Sequence, residues 1–81
     1  MKIEELQKNL AELKIPKRRY VINDSYPADT HVLQQNYNIW EYFYFDERGE
    51  KNDYKIFKTE EEACEYMLKI MNKLKKYYYK F

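Results

Sequence analysis

The chain has very few of the residues on which small catalytic or cofactor-binding sites depend. Its 81 residues include one glycine, one cysteine and one histidine, and its only serine is Ser25. A single glycine does not make a loop that cradles phosphate groups, and one cysteine with one histidine falls short of the three or four ligands of a zinc site. The sequence therefore predicts a protein that is not an enzyme, with no catalytic residue, no cofactor and no metal ion.

Long apolar runs are also lacking. The longest is Tyr42 to Phe45, whereas about 20 apolar residues are needed to span a bilayer. The first residues, Met1 to Glu5, do not resemble an apolar signal region. With Cys64 alone, no internal disulfide forms, which fits a reducing compartment. We therefore expect a cytoplasmic protein without a membrane partner, in which Cys64 is structural and half-buried.

One short segment gathers the few polar side chains that could act in catalysis: Asp24, Ser25, Asp29 and His31. A hydrolase or metal site could be imagined there. Asp and Ser side chains in such segments more often bond to the local backbone of a turn. The sequence therefore favours a local turn over a hydrolase or metal site in this segment.

Periodic apolar residues predict two helices at the ends of the chain. Ile3, Leu6, Leu10 and Leu13 form one stripe on a helix at about residues 2–14. Thr59, followed three residues later by a glutamate, is a capping box that begins a long helix at about residues 60–79. Its apolar stripe contains Ala63, Met67, Ile70, Leu74, Tyr77 and Phe81.

Between the helices, β-branched and aromatic segments separated by turn residues predict strands at about 19–23, 30–35, 39–46 and 51–58. These elements make one α+β domain over residues 1–81. Its sheet of three to four strands is expected to be an antiparallel meander or hairpin. The long C-terminal helix is expected to pack on one face of that sheet.

The two longest strands form a hairpin around Gly49, the residue best suited to the left-handed position of a three-residue loop. Uninterrupted pairing from this loop places Phe45 opposite Lys51, with Tyr42 opposite Tyr54. The predicted core face carries Trp40, Tyr42, Tyr44, Tyr54 and Ile56. The predicted wet face carries Phe43, Phe45 and Phe57 together with a Glu41–Lys55 ion pair.

The wet face and the acidic loop beside it predict a partner-binding surface. Apolar groups ringed by charge mark partner sites, and acidic side chains favour a basic partner. The predicted partner-binding residues are Phe43, Phe45, Asp46, Glu47, Glu50 and Asp53. In the competing interpretation the phenylalanines face a helix and the two faces are exchanged.

The C-terminal segment suggests other uses. Residues 66–81 contain five lysines and no acidic residue, and lysines among tyrosines can bind single-stranded nucleic acid. The alternative function is therefore a small regulatory or nucleic-acid-binding module that uses this segment. Four glutamates at the start of the same helix would repel phosphates, so nucleic acid is the less favoured partner. A homodimer through the C-terminal helix is a third interpretation.

Several short motifs, in order, resemble a known family. They are Tyr20-Val21-Ile22, Trp40-Glu41, Glu47-Arg48-Gly49, a strand ending in Phe57, and Glu61-Glu62-Ala63-Cys64-Glu65-Tyr66. Together they cover about residues 15–68 and resemble the small bacterial immunity proteins encoded beside polymorphic or contact-dependent toxins. The lysine- and tyrosine-rich C-terminus departs from that pattern.

The resemblance implies a protein of bacterial competition, related in its logic to toxin–antitoxin pairs. It would form a heterodimer with a cognate toxin and block the toxin's active site or an essential surface. The resemblance also implies structural roles for the shared residues: packing for Trp40 and Phe57, the turn for Gly49, and close helix–sheet approach for Ala63. Arg48 could stabilise the fold or contact the partner.

Overall fold

The fold is a four-stranded sheet with a helix before it and a longer helix after it. The computed structural model describes residues 1–78, and side chains up to residue 76. Within that part of the chain the elements are α1 (Ile3–Glu12), a 3-10 turn (Lys17–Arg19), β1 (Tyr20–Ile22), β2 (Thr30–Asn36), β3 (Ile39–Phe45), β4 (Lys51–Phe57) and α2 (Glu60–Tyr78). The predicted α+β class, with an N-terminal helix and a long C-terminal helix, is confirmed.

The strands lie in the order β1-β2-β3-β4. The antiparallel arrangement is confirmed for β2, β3 and β4, whereas β1 pairs with β2 in parallel. The loop of residues 23–29 carries the chain back to the end of the sheet at which β1 begins. It has left-handed backbone at Asn23 and Asp29 (φ 54° and 62°). The sheet is therefore mixed, because this connection replaces the tight turn that an antiparallel pair would use.

One face of the sheet forms the main core with both helices. Leu6 and Leu10 of α1 and Met67 and Met71 of α2 are fully buried. The sheet contributes Leu33, Trp40 and Tyr42 to the same cluster. The buried stripe of α2 thus includes Cys64 and Met71, whereas Ile70 and Leu74 of the predicted stripe are only partly buried. Cys64, expected to be half-buried, has no exposed surface.

The start of α2 is capped as predicted and also holds the start of α1. The Glu62 amide donates to Thr59 Oγ1 at 3.2 Å, and the Thr59 hydroxyl donates to the Glu62 carboxylate at 3.1 Å. The Ile3 amide donates to Glu60 Oε2 at 2.8 Å. An amide at the start of α1, which has no partner inside its own helix, is thereby satisfied, so the acidic first turn of α2 joins the two helices.

Helix α1 ends before its predicted limit. Lys14 adopts left-handed backbone (φ 61°), and the Ile15 amide donates to the Leu10 carbonyl at 3.2 Å. This is a Schellman ending, in which a hydrophobic residue beyond the helix packs back on its last turn. Ile15 is 4% exposed, and Pro16 follows where the helix has already stopped.

A β-bulge at Asp53 makes the predicted register of the hairpin wrong. Phe45 pairs with Lys51 as expected, but Tyr42 pairs with Lys55 and Trp40 with Phe57. One extra residue in β4 between these pairs shifts every later partner by one position, and Asp53 has left-handed backbone (φ 55°). A slip of one residue exchanges the faces of a strand.

The exchange affects β4 alone. Phe57 therefore packs against the helix side, and Tyr54 and Ile56 belong to the other face, opposite to their predicted places. The predicted Glu41–Lys55 pair is replaced by Glu41 opposite Ile56. The predicted faces of β3 hold, since Trp40 and Tyr42 lie in the main core.

Candidate protein-binding surface

The sheet face that points away from the main core has an aromatic cluster of its own around Phe43. The Tyr26 ring meets Phe43 edge-on at 5.3 Å, and the Tyr54 ring stacks on it at 6.2 Å. Lys51 Nζ lies 4.8 Å from the centre of the Phe43 ring. Phe43 has no exposed surface, so the expectation that nothing covers it is wrong. Because the β1–β2 loop crosses this face, Tyr26 forms part of its cover.

Beside this cluster lies a nearly buried carboxylate. Glu41 is 6% exposed and accepts a hydrogen bond from Gln34 Nε2 at 2.9 Å. The Tyr54 hydroxyl also donates to Glu41. A buried charged group is costly unless its oxygens are bonded, and these donors satisfy them. The hydrogen bond from Tyr54 to Glu41 also fixes the position of the Tyr54 ring, which is 43% exposed.

The most exposed apolar side chain on this face is Ile56, at 57%. It is directly opposite Glu41 and therefore close to Tyr54. Phe45 is partly exposed at the other end of the cluster, where Tyr26 contacts its ring at 4.8 Å. We call Tyr26, Phe45, Tyr54 and Ile56 the open-face patch.

The β3–β4 turn has the predicted geometry. Gly49 adopts left-handed backbone (φ 82°) and donates its amide to the Asp46 carbonyl at 3.0 Å. Asp46 Oδ1 accepts from the amides of Arg48 and Glu50, each at 2.9 Å. These backbone bonds, together with the Asn52 side chain, hold the pKa of Asp46 below its usual value. Asp46 is thus a turn-building residue that orders its neighbours.

The six predicted partner-binding residues therefore occupy four different environments. Phe43 is buried beneath the open-face patch, and Asp46 builds the turn. Asp53, at the bulge, lines a cavity on the opposite side of the sheet. Phe45 is a partly exposed member of the patch, and Glu47 and Glu50 present exposed side chains beside it.

Sequence reasoning missed Tyr26, Tyr54 and Ile56 as surface residues. Tyr26 lies in the segment between two predicted strands, and nothing in its local sequence indicates that this segment crosses the sheet. A register without a bulge predicts Tyr54 and Ile56 in the core. The Asn52-Asp53 dipeptide is the available signal, since Asn and Asp tolerate left-handed backbone better than other non-glycine residues.

The polar segment before β2 does not come together as one site. The Asp24 carboxylate accepts from the adjacent Ser25 amide at 2.8 Å, as expected for a turn. Asp29 accepts from the Tyr44 hydroxyl at 2.8 Å. Asp29 and His31 line one cavity, whereas Asp24 and Ser25 lie at a different one. Among residues 1–78, no group of three His, Cys, Asp or Glu side chains is arranged to hold a metal ion.

The same described residues include no helix with the length and apolarity to cross a membrane. Comparisons with protein-family models, with curated proteins and with solved structures find no match. The class of protein is therefore defined by its architecture alone: an α+β domain with a helix-covered core and an aromatic second face.

Proposed function

We propose that this protein is a binding protein of the immunity type, which neutralises a protein toxin by covering the toxin's active site or an essential surface. The observation that carries the proposal is the open-face patch beside the acidic β3–β4 turn. The order of the sequence motifs supports the same class. No residue of the protein performs chemistry in this function.

The open-face patch has the physical properties of a binding surface. Tyrosine supplies a large contact area with little loss of side-chain freedom, and its bond to Glu41 already restricts Tyr54. Ile56 adds an exposed apolar group in the next position on the same face. Buried aromatic anchors surrounded by weaker contacts contribute most of the affinity at protein interfaces, and Tyr54 is the best placed anchor of this kind.

The acidic turn favours a partner whose contact surface is positively charged. Glu47 and Glu50 are exposed, and the hydrogen bonds of Asp46 hold the backbone between them. Complementary charge raises the association rate and orients the partner more than it raises affinity. We therefore expect the toxin to present a basic rim around an apolar centre.

Co-expression with the product of the neighbouring upstream gene tests the proposal. The wild-type chain should protect cells and copurify with that product as a heterodimer. Ile56→Glu places a charge on the most exposed apolar side chain of the patch and should weaken binding by about a hundredfold, or about 2.7 kcal/mol. Tyr37→Asn is the matched control, because Tyr37 is a 94% exposed aromatic in the β2–β3 turn.

The outcomes separate the open face from other surfaces. Loss of protection in Ile56→Glu with full protection in Tyr37→Asn supports the proposal. Equal protection by both variants places the interface elsewhere, and failure of the wild-type chain to bind or protect removes the immunity function. A chain lacking residues 73–81 should still protect, whereas the nucleic-acid alternative expects its activity to be lost.

A further inference from the structure

A cavity of about 550 Å³ lies between the sheet and the C-terminal half of α2, on the face opposite the open-face patch. Pockets for small ligands measure about 300–1,000 Å³ and combine apolar walls with a few fixed polar groups. The sheet side of this cavity is formed by His31, Tyr42 and Tyr44, and the helix side by Tyr66, Ile70 and Leu74. Its size and its walls both fit a small ligand.

The cavity exists because the apolar surface of α2 is wider than the core that covers it. Met67 and Met71 are fully buried in the main core. Tyr66, Ile70 and Leu74 follow each other at spacings of four, which places them on one face of the helix. All three are only partly buried. Tyr66 packs on the sheet, with its ring 5.1 Å from Tyr42 and 5.2 Å from Phe57, and so closes one end of the cavity. Ile70 and Leu74 line the cavity farther along the helix.

The sheet side of the cavity is ordered by its own hydrogen bonds. His31 is 8% exposed, and its Nδ1 lies 2.9 Å from the Tyr42 hydroxyl. The His31 and Tyr42 rings are nearly parallel, 17° apart, and the Tyr44 ring lies 4.8 Å from His31. The Tyr44 hydroxyl donates to Asp29 at 2.8 Å. Side chains fixed before binding lose little entropy when a ligand arrives.

The bulge in β4 adds an independent observation. An uninterrupted strand would have paired Asp53 with Phe43 and pointed its side chain toward the open face. The extra residue and the left-handed backbone at Asp53 instead bring Asp53 to the cavity wall. Bulges re-aim side chains beside functional sites, and left-handed backbone outside glycine costs free energy that the surroundings must supply.

The charges around the cavity balance. Arg19 and Lys73 are opposed by Asp29 and Asp53 on the same walls. Burial, with a smaller effect from the positive charge of Arg19, lowers the pKa of His31 to about 4, so its imidazole is neutral at pH 7. A ligand with net charge would therefore face as many wall groups of its own charge as of the opposite charge.

We propose that this cavity binds an uncharged, planar aromatic molecule between Tyr44 on the sheet side and Ile70 and Leu74 on the helix side, with the contacting rings of Tyr42 and Tyr66 at its closed end. Offset and edge-on packing of its ring on tyrosines gives about 0.5–1.5 kcal/mol for each pair beyond the burial of area. The site is separated from the open-face patch by the sheet, so its ligand and the protein partner occupy opposite faces.

Methyl NMR of the full chain with labelled isoleucines tests the site, with indole as the probe. Indole should shift the Ile70 methyl signal in a saturable manner and leave the Ile56 signal unchanged. Leu74→Trp, which fills the cavity from the end of α2, should weaken indole binding by about tenfold or more, a change of about 1.4 kcal/mol. Ile70→Phe is a milder second variant with the same expectation, and Ile56→Ala is the control that should bind normally.

Two charged relatives of the probe test the chemical class. Indole-3-acetate and tryptamine carry opposite charges on the same ring system and should each bind more weakly than indole. Tighter binding of tryptamine would overturn the proposal in favour of a cation site, and tighter binding of indole-3-acetate in favour of an anion site. An unshifted Ile70 signal at millimolar indole, or unchanged binding in both cavity variants, would reject the site itself.

Discussion

Replacing Phe43 by leucine should destabilise the fold, although the sequence marks Phe43 as a surface residue. Leucine keeps most of the buried apolar area but removes the ring contacts with Tyr26 and Tyr54 and the approach of Lys51. Aromatic pairs contribute about 0.5–1.5 kcal/mol each and a cation over a ring about 0.5–1 kcal/mol. Together these losses predict a destabilisation of about 1.5–4 kcal/mol.

This loss is a large share of the total stability. At about 0.05–0.15 kcal/mol per residue, a domain of this size has a free energy of unfolding of about 4–12 kcal/mol. With a urea m-value of about 1 kcal/mol/M for a small domain, Phe43→Leu should lower the urea midpoint by about 1.5–4 M. Trp40 lies in the main core, so its fluorescence reports unfolding.

Phe45→Leu is the matched control for this measurement. Phe45 is on the same strand and face but is partly exposed and has one aromatic contact, with Tyr26, so the same change should cost only about 0.5–1.5 kcal/mol. Equal effects of the two variants, or a midpoint shift below about 0.5 M for Phe43→Leu, would refute the reasoning and return Phe43 to the surface.

Three further predictions concern single residues. Burial lowers the pKa of His31 to about 4, whereas an unfolded chain has a histidine pKa of roughly 6.5. Between these two values the unfolded state binds more protons than the folded state. The free energy of unfolding therefore falls as the pH is lowered through this range. Urea midpoints should show about 2 kcal/mol lost from pH 7 to pH 5, and a His31→Gln variant with the same loss would contradict this. Tyr37 is exposed and has left-handed backbone (φ 60°). Replacing it by glycine should raise the free energy of unfolding, measured by thermal denaturation, by about 1 kcal/mol. A lower free energy of unfolding would contradict the inference that the Tyr37 backbone is strained. Burial raises the pKa of Cys64 to about 11, so a disulfide reagent at pH 8 should label it only as fast as the protein unfolds, and immediate labelling of the native protein would disprove its burial.

The helices and the strands of this fold could be predicted from local sequence because their signals are local. The apolar stripe of α1, the Thr59 cap of α2 and the turn around Gly49 each depend on residues within a few positions of one another. The parallel pairing of β1 could not be predicted, since it depends on where the loop of residues 23–29 crosses the sheet. Nothing in the spacing of those residues specifies that path.

The candidate surface could be predicted only in part, because one bulge decides which side chains share a face. Counting from Gly49 is correct as far as the Tyr44–Asn52 pair, and the extra residue at Asp53 then moves Tyr54 and Ile56 to the open face. The acidic turn was recognised because charge is visible in the sequence. The cavity was not predicted, since it arises from the distance between two elements that are far apart along the chain.

A methyl spectrum of the isoleucines during titration with the proposed toxin tests the binding surface most directly. Ile56 is on the open face and Ile70 on the opposite side of the sheet, so one spectrum compares both faces. We predict that the Ile56 signal changes strongly on binding while the Ile70 signal keeps its position. A complex that shifts Ile70 and leaves Ile56 unchanged would show that the partner binds on the other face, and the open-face patch would then not be the binding surface.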